Sequence, residues 1–259
     1  MTNTVEHVTQ TTTPNKLRDD AIIEAVCMLQ YETSDLPEVI IGRLSDETTW
    51  KGFVPHRLPL ADIPFPVRSN EPNLKHQPIY SLKNADSSRV VQIGEKVVSY
   101  HVIGVQKYCG WSKFKPELAE AFATLFNKLN KPTVKRISFR YINAVVSTRH
   151  HIPDVHQLNL DVRVNGETLD CPINLNYISV TPTHITTTRV AHTDFVQVQN
   201  GSLPGGTSAV VDVEVTTPNN YSALNLSEVM DWIEIAHTRE KEAFFKLIPP
   251  SIIEKLKEN

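Results

Sequence analysis

The stretch VKRISFRYINAVV, residues 134–146, decides the fold. β-Branched and aromatic residues dominate it, and Ile137, Phe139 and Tyr141 recur with a period of two, so it reads as a strand with a core-facing side. On either side of it the chain tells the same story. Residues 21–31, AIIEAVCMLQY, are apolar on both alternating faces, which suits a strand covered on two sides. β-Rich runs follow at 78–83, 89–93 and 97–105, separated by Asn84-Ala85-Asp86 and Gly94-Glu95-Lys96, which can turn the chain into an antiparallel meander. A helix opening at Ser112 then carries Phe114, Leu118, Phe122, Leu125, Phe126 and Leu129 on one stripe and stops at Asn130 and Pro132.

From Val134 the order is replayed, with the strand 134–146 opening the second run. An Asn165-Gly166 hairpin signal precedes β-rich runs at 173–180, 184–191, 195–198 and 209–215. Asn225 and Glu228 form a capping box for a helix whose stripe is Val229, Ile233, Ala236, Glu240 and Phe244, and Pro249-Pro250 ends it. Strand, meander and long helix thus occur twice, which points to two related half-units.

These readings predict an α+β fold: antiparallel sheets from two strand-meander-helix half-units, with the long helices packed on a sheet face. The expected division is a disordered tail over 1–16, an N-terminal half-unit over 17–147 and a C-terminal half-unit over 148–259, both in one compact body. A short helix capped by Ser34, with Val39, Ile40 and Leu44 at helical spacing, is expected to end before Trp50. Six prolines between Pro55 and Pro78 predict an extended connector without regular structure.

Composition narrows the function by exclusion. Hydrophobic residues at 40% and charged residues at 21% fit an ordered chain, and 259 residues suffice for a core without staples. A net charge of −3 gives no global field toward nucleic acid or an anionic membrane. Cys27, Cys109 and Cys171 lie far apart in no paired spacing, so a reducing compartment is expected. The threonine-rich start has no apolar signal region and no later stretch approaches the ~20 apolar residues of a span, so a cytoplasmic location with no membrane role is expected.

Candidate chemistry is sparse. The cluster Arg149-His150-His151-Ile152-Pro153-Asp154-Val155-His156 holds three imidazoles and a carboxylate, so His150, His151, Asp154 and His156 are the metal-ligand candidates, although they match no defined motif. Asp212 and Glu214 in VVDVEV place two carboxylates on one strand face, a pair able to hold a metal but read first as the polar side of an amphipathic strand. The glycine-containing segment from Asn200 to Thr207 lacks a GK[ST] ending and leads into a strand, so it reads as a hairpin loop. No GxSxG elbow is present, and Cys27 and Cys171 fall in apolar strand surroundings. His184, His192 and His237 read as core or interface histidines. Arg136, Arg140, Arg163 and Arg189 all lie on predicted strands and read first as ordinary surface ion-pair partners, although some of them could form a cationic patch for RNA or an acidic protein surface if the two half-sheets adjoin.

Several short stretches resemble a sporadically distributed family of uncharacterised bacterial proteins of about this length. They are Ile23-Glu24-Ala25-Val26, Val91-Gln92-Ile93-Gly94 with Ser99, Gly110-Trp111 with Phe114, and Arg140-Tyr141-Ile142-Asn143. The family pattern often has a basic residue after that last asparagine, where this chain has Ala144. Sporadic occurrence implies mobile or defence-associated gene islands, and so a toxin-antitoxin or antiviral setting.

The expectation is therefore a non-catalytic, cofactor-free protein-binding component, antitoxin-like or defence-associated, with homo-oligomerisation open. The alternatives are an RNA- or DNA-binding module using the strand arginines and an unrecognised metal-dependent enzyme.

Overall fold

The structure, a computed structural model, describes residues 14, 17–45, 50–196 and 202–257. Apart from Pro14, the tail expected over 1–16 lies outside the described residues.

The two strands that open the repeats pair with each other. β1 (Ile22–Glu32) and the 14-residue strand Thr133–Val146 run antiparallel along their length, with Cys27 opposite Phe139 and Leu29 opposite Ile137. The intervening chain supplies α1 (Pro37–Ser45), β2 (Val54–Arg57), α2 (Phe65–Asn70), β3 (Tyr80–Lys83), β4 (Arg89–Ile93), β5 (Val97–Ile103) and α3 (Trp111–Lys128). With Thr133–Val146 as β6, the remainder supplies α4 (Ser147–His150), a small hairpin of β7 (Arg163–Val164) and β8 (Glu167–Thr168), then β9 (Asn174–Val180), β10 (Ile185–Ala191), β11 (Thr207–Thr216), α5 (Leu226–Leu247) and α6 (Pro250–Leu256).

Nine of these strands form one antiparallel sheet in the order β2-β3-β4-β5-β1-β6-β11-β10-β9. In the first run β5 returns beside β1 and α3 follows; in the second, β11 returns beside β6 and α5 follows. The second run opens at β6, so the two repeats meet at the β1–β6 pair and share one continuous sheet.

Alternation along the strands sorts the two sheet faces. Ala25, Cys27, Leu29 and Tyr31 of β1 and Ile137, Phe139 and Tyr141 of β6 face α3 and α5, packing with Phe114, Leu118, Phe122, Leu125, Val229, Ile233 and Ala236. A second apolar cluster joins Val211 and Val213 to Phe244, Leu247, Ile253 and Leu256. Glu24, Val26, Met28 and Gln30 of β1 and Ser138, Arg140 and Ile142 of β6 point the other way, onto a face that the long helices leave open.

Local chemistry explains most element ends. Asn165 and Gly166 both take positive φ, 54° and 83°, as the two-residue turn between β7 and β8 requires. The Asn225 side chain accepts the Glu228 amide at 3.0 Å, while the Glu228 carboxylate reaches back to the Leu224 amide at 2.7 Å.

Several expectations need correction. The proline-rich connector is not featureless: it holds β2, a 3₁₀ turn at Pro59–Asp62 and α2. Pro59 and Pro66 sit in first helical turns, where no intrahelical N–H bond is lost, and Pro55 lies on an edge strand. α3 starts at Trp111, one residue before Ser112, from Gly110 at φ 92°, a conformation that favours glycine. Of the strand expected at 195–198, Phe195 closes a 3₁₀ turn, Thr193–Phe195, capped by His192, Val196 belongs to no element, and 197–198 lie with 199–201 outside the described residues. Cys171 is exposed and precedes β9, while Cys27 alone of the three cysteines is buried.

Among the described residues no helix is long and apolar enough to cross a membrane.

Candidate functional site

The open face of the sheet forms the floor of a trough of about 1270 Å³. Its lining runs from Gln92 on β4 to Asn174 on β9, which spans seven adjacent strands, or about 29 Å at ~4.8 Å per strand. Leu58–Leu60 and the segment 72–78 wall it on one side; Phe195, Val196 and Leu203 stand on the other. Arg68 on α2 makes a buried ion pair with Glu95 and donates to the Ile63 carbonyl, tying the connector to the β4–β5 turn. Gly94 in that turn has a reason the sequence did not show: a Cβ there would lie 2.5 Å from the Gln77 carbonyl oxygen, so only glycine lets the wall approach.

Charged groups on the floor are held by one another. Asp212 on β11 is 7% exposed and accepts from Arg140 Nε and Nη2, both at 2.7 Å, and from Arg189 Nη1 at 2.9 Å. Arg189 also approaches Glu214 at 3.7 Å, and the Ser138 hydroxyl donates to Glu214 at 2.6 Å. Burial works against the Arg140 charge, yet the hydrogen bonds and field of Asp212 outweigh it and hold the guanidinium pKa above its ordinary value. Asp212 and Glu214 thus share one strand face as their spacing predicts, but as members of an ion-pair network and not as a solvated stripe.

Beside this network lies an arrangement that the sequence reading missed. His101 Nε2 is 2.8 Å from Ser99 Oγ, and His101 Nδ1 is 3.1 Å from Glu24 Oε1. With a carboxylate that only accepts, Nδ1 is the donor to Glu24, and in the neutral ring Nε2 is then the acceptor for the Ser99 hydroxyl. The signal was half visible, since Ser99 and His101 are two apart on a β-run and share a face. Glu24 joins them diagonally, because β1 and β5 pair with Val26 opposite His101, and that register is not written in either segment.

The four candidate arginines do not make one patch. Arg140 and Arg189 converge on Asp212; Arg136 is exposed further along β6; Arg163 lies on the separate β7–β8 hairpin, paired with Asp161 at 2.8 Å. The candidate metal ligands also disperse. His150 is buried, its Nδ1 accepting the Val146 amide at 2.7 Å and its Nε2 lying 3.2 Å from the Asp19 carbonyl. His151 takes a left-handed turn, Asp154 caps the His156 amide, and His156 Nε2 meets the Cys171 carbonyl at 2.9 Å. These groups fold the loop after β6, and no group of three or more potential ligands able to hold a metal ion occurs among the described residues.

Glu24, Gln92, Ser99 and Arg140 all line this floor, whereas Gly110 and Trp111 do not. No family model matches the chain, and no curated protein matches it.

Proposed function

We propose that the protein is a non-catalytic binding component whose trough holds an extended segment of a partner protein. The observation that carries this reading is the shape and charge of the floor together. A trough of about 1270 Å³ exceeds the ~300–1,000 Å³ typical of small-molecule pockets, and its ~29 Å length accommodates roughly nine extended residues. Val26, Met28 and Ile142 give it apolar stretches between the charges. Glu24, Asp212 and Glu214 set three carboxylates against the two guanidiniums of Arg140 and Arg189, which suits a polypeptide bearing both signs and repels a phosphodiester backbone.

A displayed library of linear peptides tests this. Enriched peptides should bind the native chain and lose most of that affinity in Arg140→Glu and Asp212→Asn, with weak salt dependence. Equal binding by the variants, or preferential capture of single-stranded nucleic acid with a steep salt slope, would sink the reading.

The Ser99–His101–Glu24 relay favours a second reading, since nucleophile, base and orienting acid stand in that order in acyl-transfer enzymes. Against it, β5 lies between β4 and β1, and Ser99 pairs with Gln92 on one side and Met28 on the other. The strand's amides are committed to the ladders and offer no oxyanion donors beside the hydroxyl. A fluorophosphonate probe that labels the native chain but not Ser99→Ala would turn the assignment to hydrolysis.

A further inference from the structure

On the opposite side of the sheet, a pocket of about 450 Å³ opens at the start of α3. Its walls are aromatic: Tyr108 from the segment before α3, Trp111 from the first turn of α3, Tyr141 from β6, and His237, Phe244 and Phe245 from α5. Trp111 stacks on His237 with centroids 4.1 Å apart and planes 16° from parallel, and the Tyr108 and Tyr141 hydroxyls are 2.7 Å apart. These contacts fix the walls without filling the space between them.

Glu240 lies at the back. It occupies a position in the apolar stripe of α5 between Ala236 and Phe244, and is 2% exposed. Its Oε1 has no hydrogen-bond partner. A buried carboxyl oxygen without a donor costs about 1–3 kcal/mol, and a leucine there would continue the stripe at no such cost. Asp20 also lines the pocket, so two acids and one cation, Lys241, stand among the rings. An aromatic enclosure around an unmet buried acceptor suits an apolar body that carries a cationic N–H donor.

We propose that this pocket binds a small protonated amine with an aromatic or apolar body, its ammonium group donating to Glu240 Oε1 and its body lying among Tyr108, Tyr141 and Phe244. The site is separate from the trough: along β6, Arg140 and Ile142 line the trough whereas Tyr141 and Asn143 line the pocket. Burial, with the fields of Asp20 and Asp212 added, raises the Glu240 pKa well above the carboxylate range and so favours its neutral form. An arriving ammonium stabilises the ionised form, and a proton leaves Glu240 for solvent.

Calorimetry with tryptamine and phenethylamine as probes, set against indole and ethylbenzene, tests the assignment. The amines should bind saturably and release a proton, seen as a binding enthalpy that varies with the ionisation enthalpy of the buffer. The neutral analogues and Glu240→Gln should bind at least about tenfold more weakly than the amine–native pair. If Glu240→Gln fails to fold, Cys109→Trp serves instead: Cys109 is exposed at the pocket rim, and a large ring there should block the amines without touching the core. No saturable binding by either amine, neutral analogues binding as tightly as the amines, or undiminished binding in both variants would each overturn the proposal. None of these outcomes bears on the peptide test of the trough.

Discussion

The two faces of the nine-stranded sheet are made by the same strands and do different things. On the side that α3 and α5 cover, β1 and β6 present Ala25, Cys27, Leu29, Ile137 and Phe139, all essentially solvent-free. On the other side, one residue out of phase, they present Glu24, Val26, Met28, Ser138 and Arg140 to an open trough. The first face is apolar where it meets the long helices and stabilises the molecule; the second keeps its charges in mutual hydrogen bonds and is left accessible. A β-irregularity between Ile22 and Glu24 marks the changeover, since Ile22 packs into the helix-covered core while Ile23 and Glu24 both line the trough. From Glu24 to Tyr31, parity of residue number along β1 therefore separates the packed side from the accessible one.

The sharpest way to break this comparison is to empty the covered face. Phe139 is 0% exposed and touches Phe114, Trp111 and Tyr141 edge-on or tilted, so Phe139→Ala should lower unfolding stability by about 3–5 kcal/mol, measured by urea denaturation. A loss below about 1 kcal/mol would mean that this face is not the principal core.

Acid should weaken the covered face through His237. Burial, helped by the nearby Lys241 charge, lowers its pKa to about 4 against about 6.5 in an unfolded chain. Between those values the unfolded chain binds a proton that the folded one does not, so stability falls as pH drops from about 6.5 through 4, by roughly 3 kcal/mol at most. Denaturation midpoints taken across that range should decline in the native chain and stay flatter in His237→Phe. Glu240 has the reverse sign: its raised pKa gives a contribution that is full below the unfolded value and lost as pH rises above it. Parallel acid-side slopes in both chains would remove His237 from the account.

Much of the covered face was legible in the sequence, because burying it imposes a period. The strand 134–146, the stripe from Phe114 to Leu129 and the Asn225 cap all follow from local pattern. Even Glu240 was in plain view, as a carboxylate within a stripe that should be apolar, and a stricter reading of that break would have found the pocket. The trough was much less legible. Its polar residues obey no period of their own, and their meaning depends on which strand lies beside which. Asp212 meets Arg140 and Arg189 only because β11 lies between β6 and β10, and Glu24 meets His101 only through the β1–β5 register. The dense histidine loop misled for the same reason in reverse: proximity along the chain put four candidate ligands together, while the fold committed His150 and His156 to backbone groups.

Neighbouring residues on one strand give the finest test. Leu29 is 0% exposed beneath the helices, whereas Met28, half-buried, lines the trough. Leu29→Ala removes apolar atoms from a packed interior and leaves a cavity the helices cannot close, a cost of about 2–5 kcal/mol. Met28→Ala removes a flexible chain from a wall that solvent already reaches, so its cost should be about 1 kcal/mol or less. Peptide affinity should rank the other way: a peptide seated on the trough floor loses contact in Met28→Ala and keeps it in Leu29→Ala, provided the latter is assayed well below its unfolding midpoint. Two variants one residue apart with crossed effects on stability and binding are what the strand geometry demands; parallel effects would mean that the sheet does not divide its labour by face.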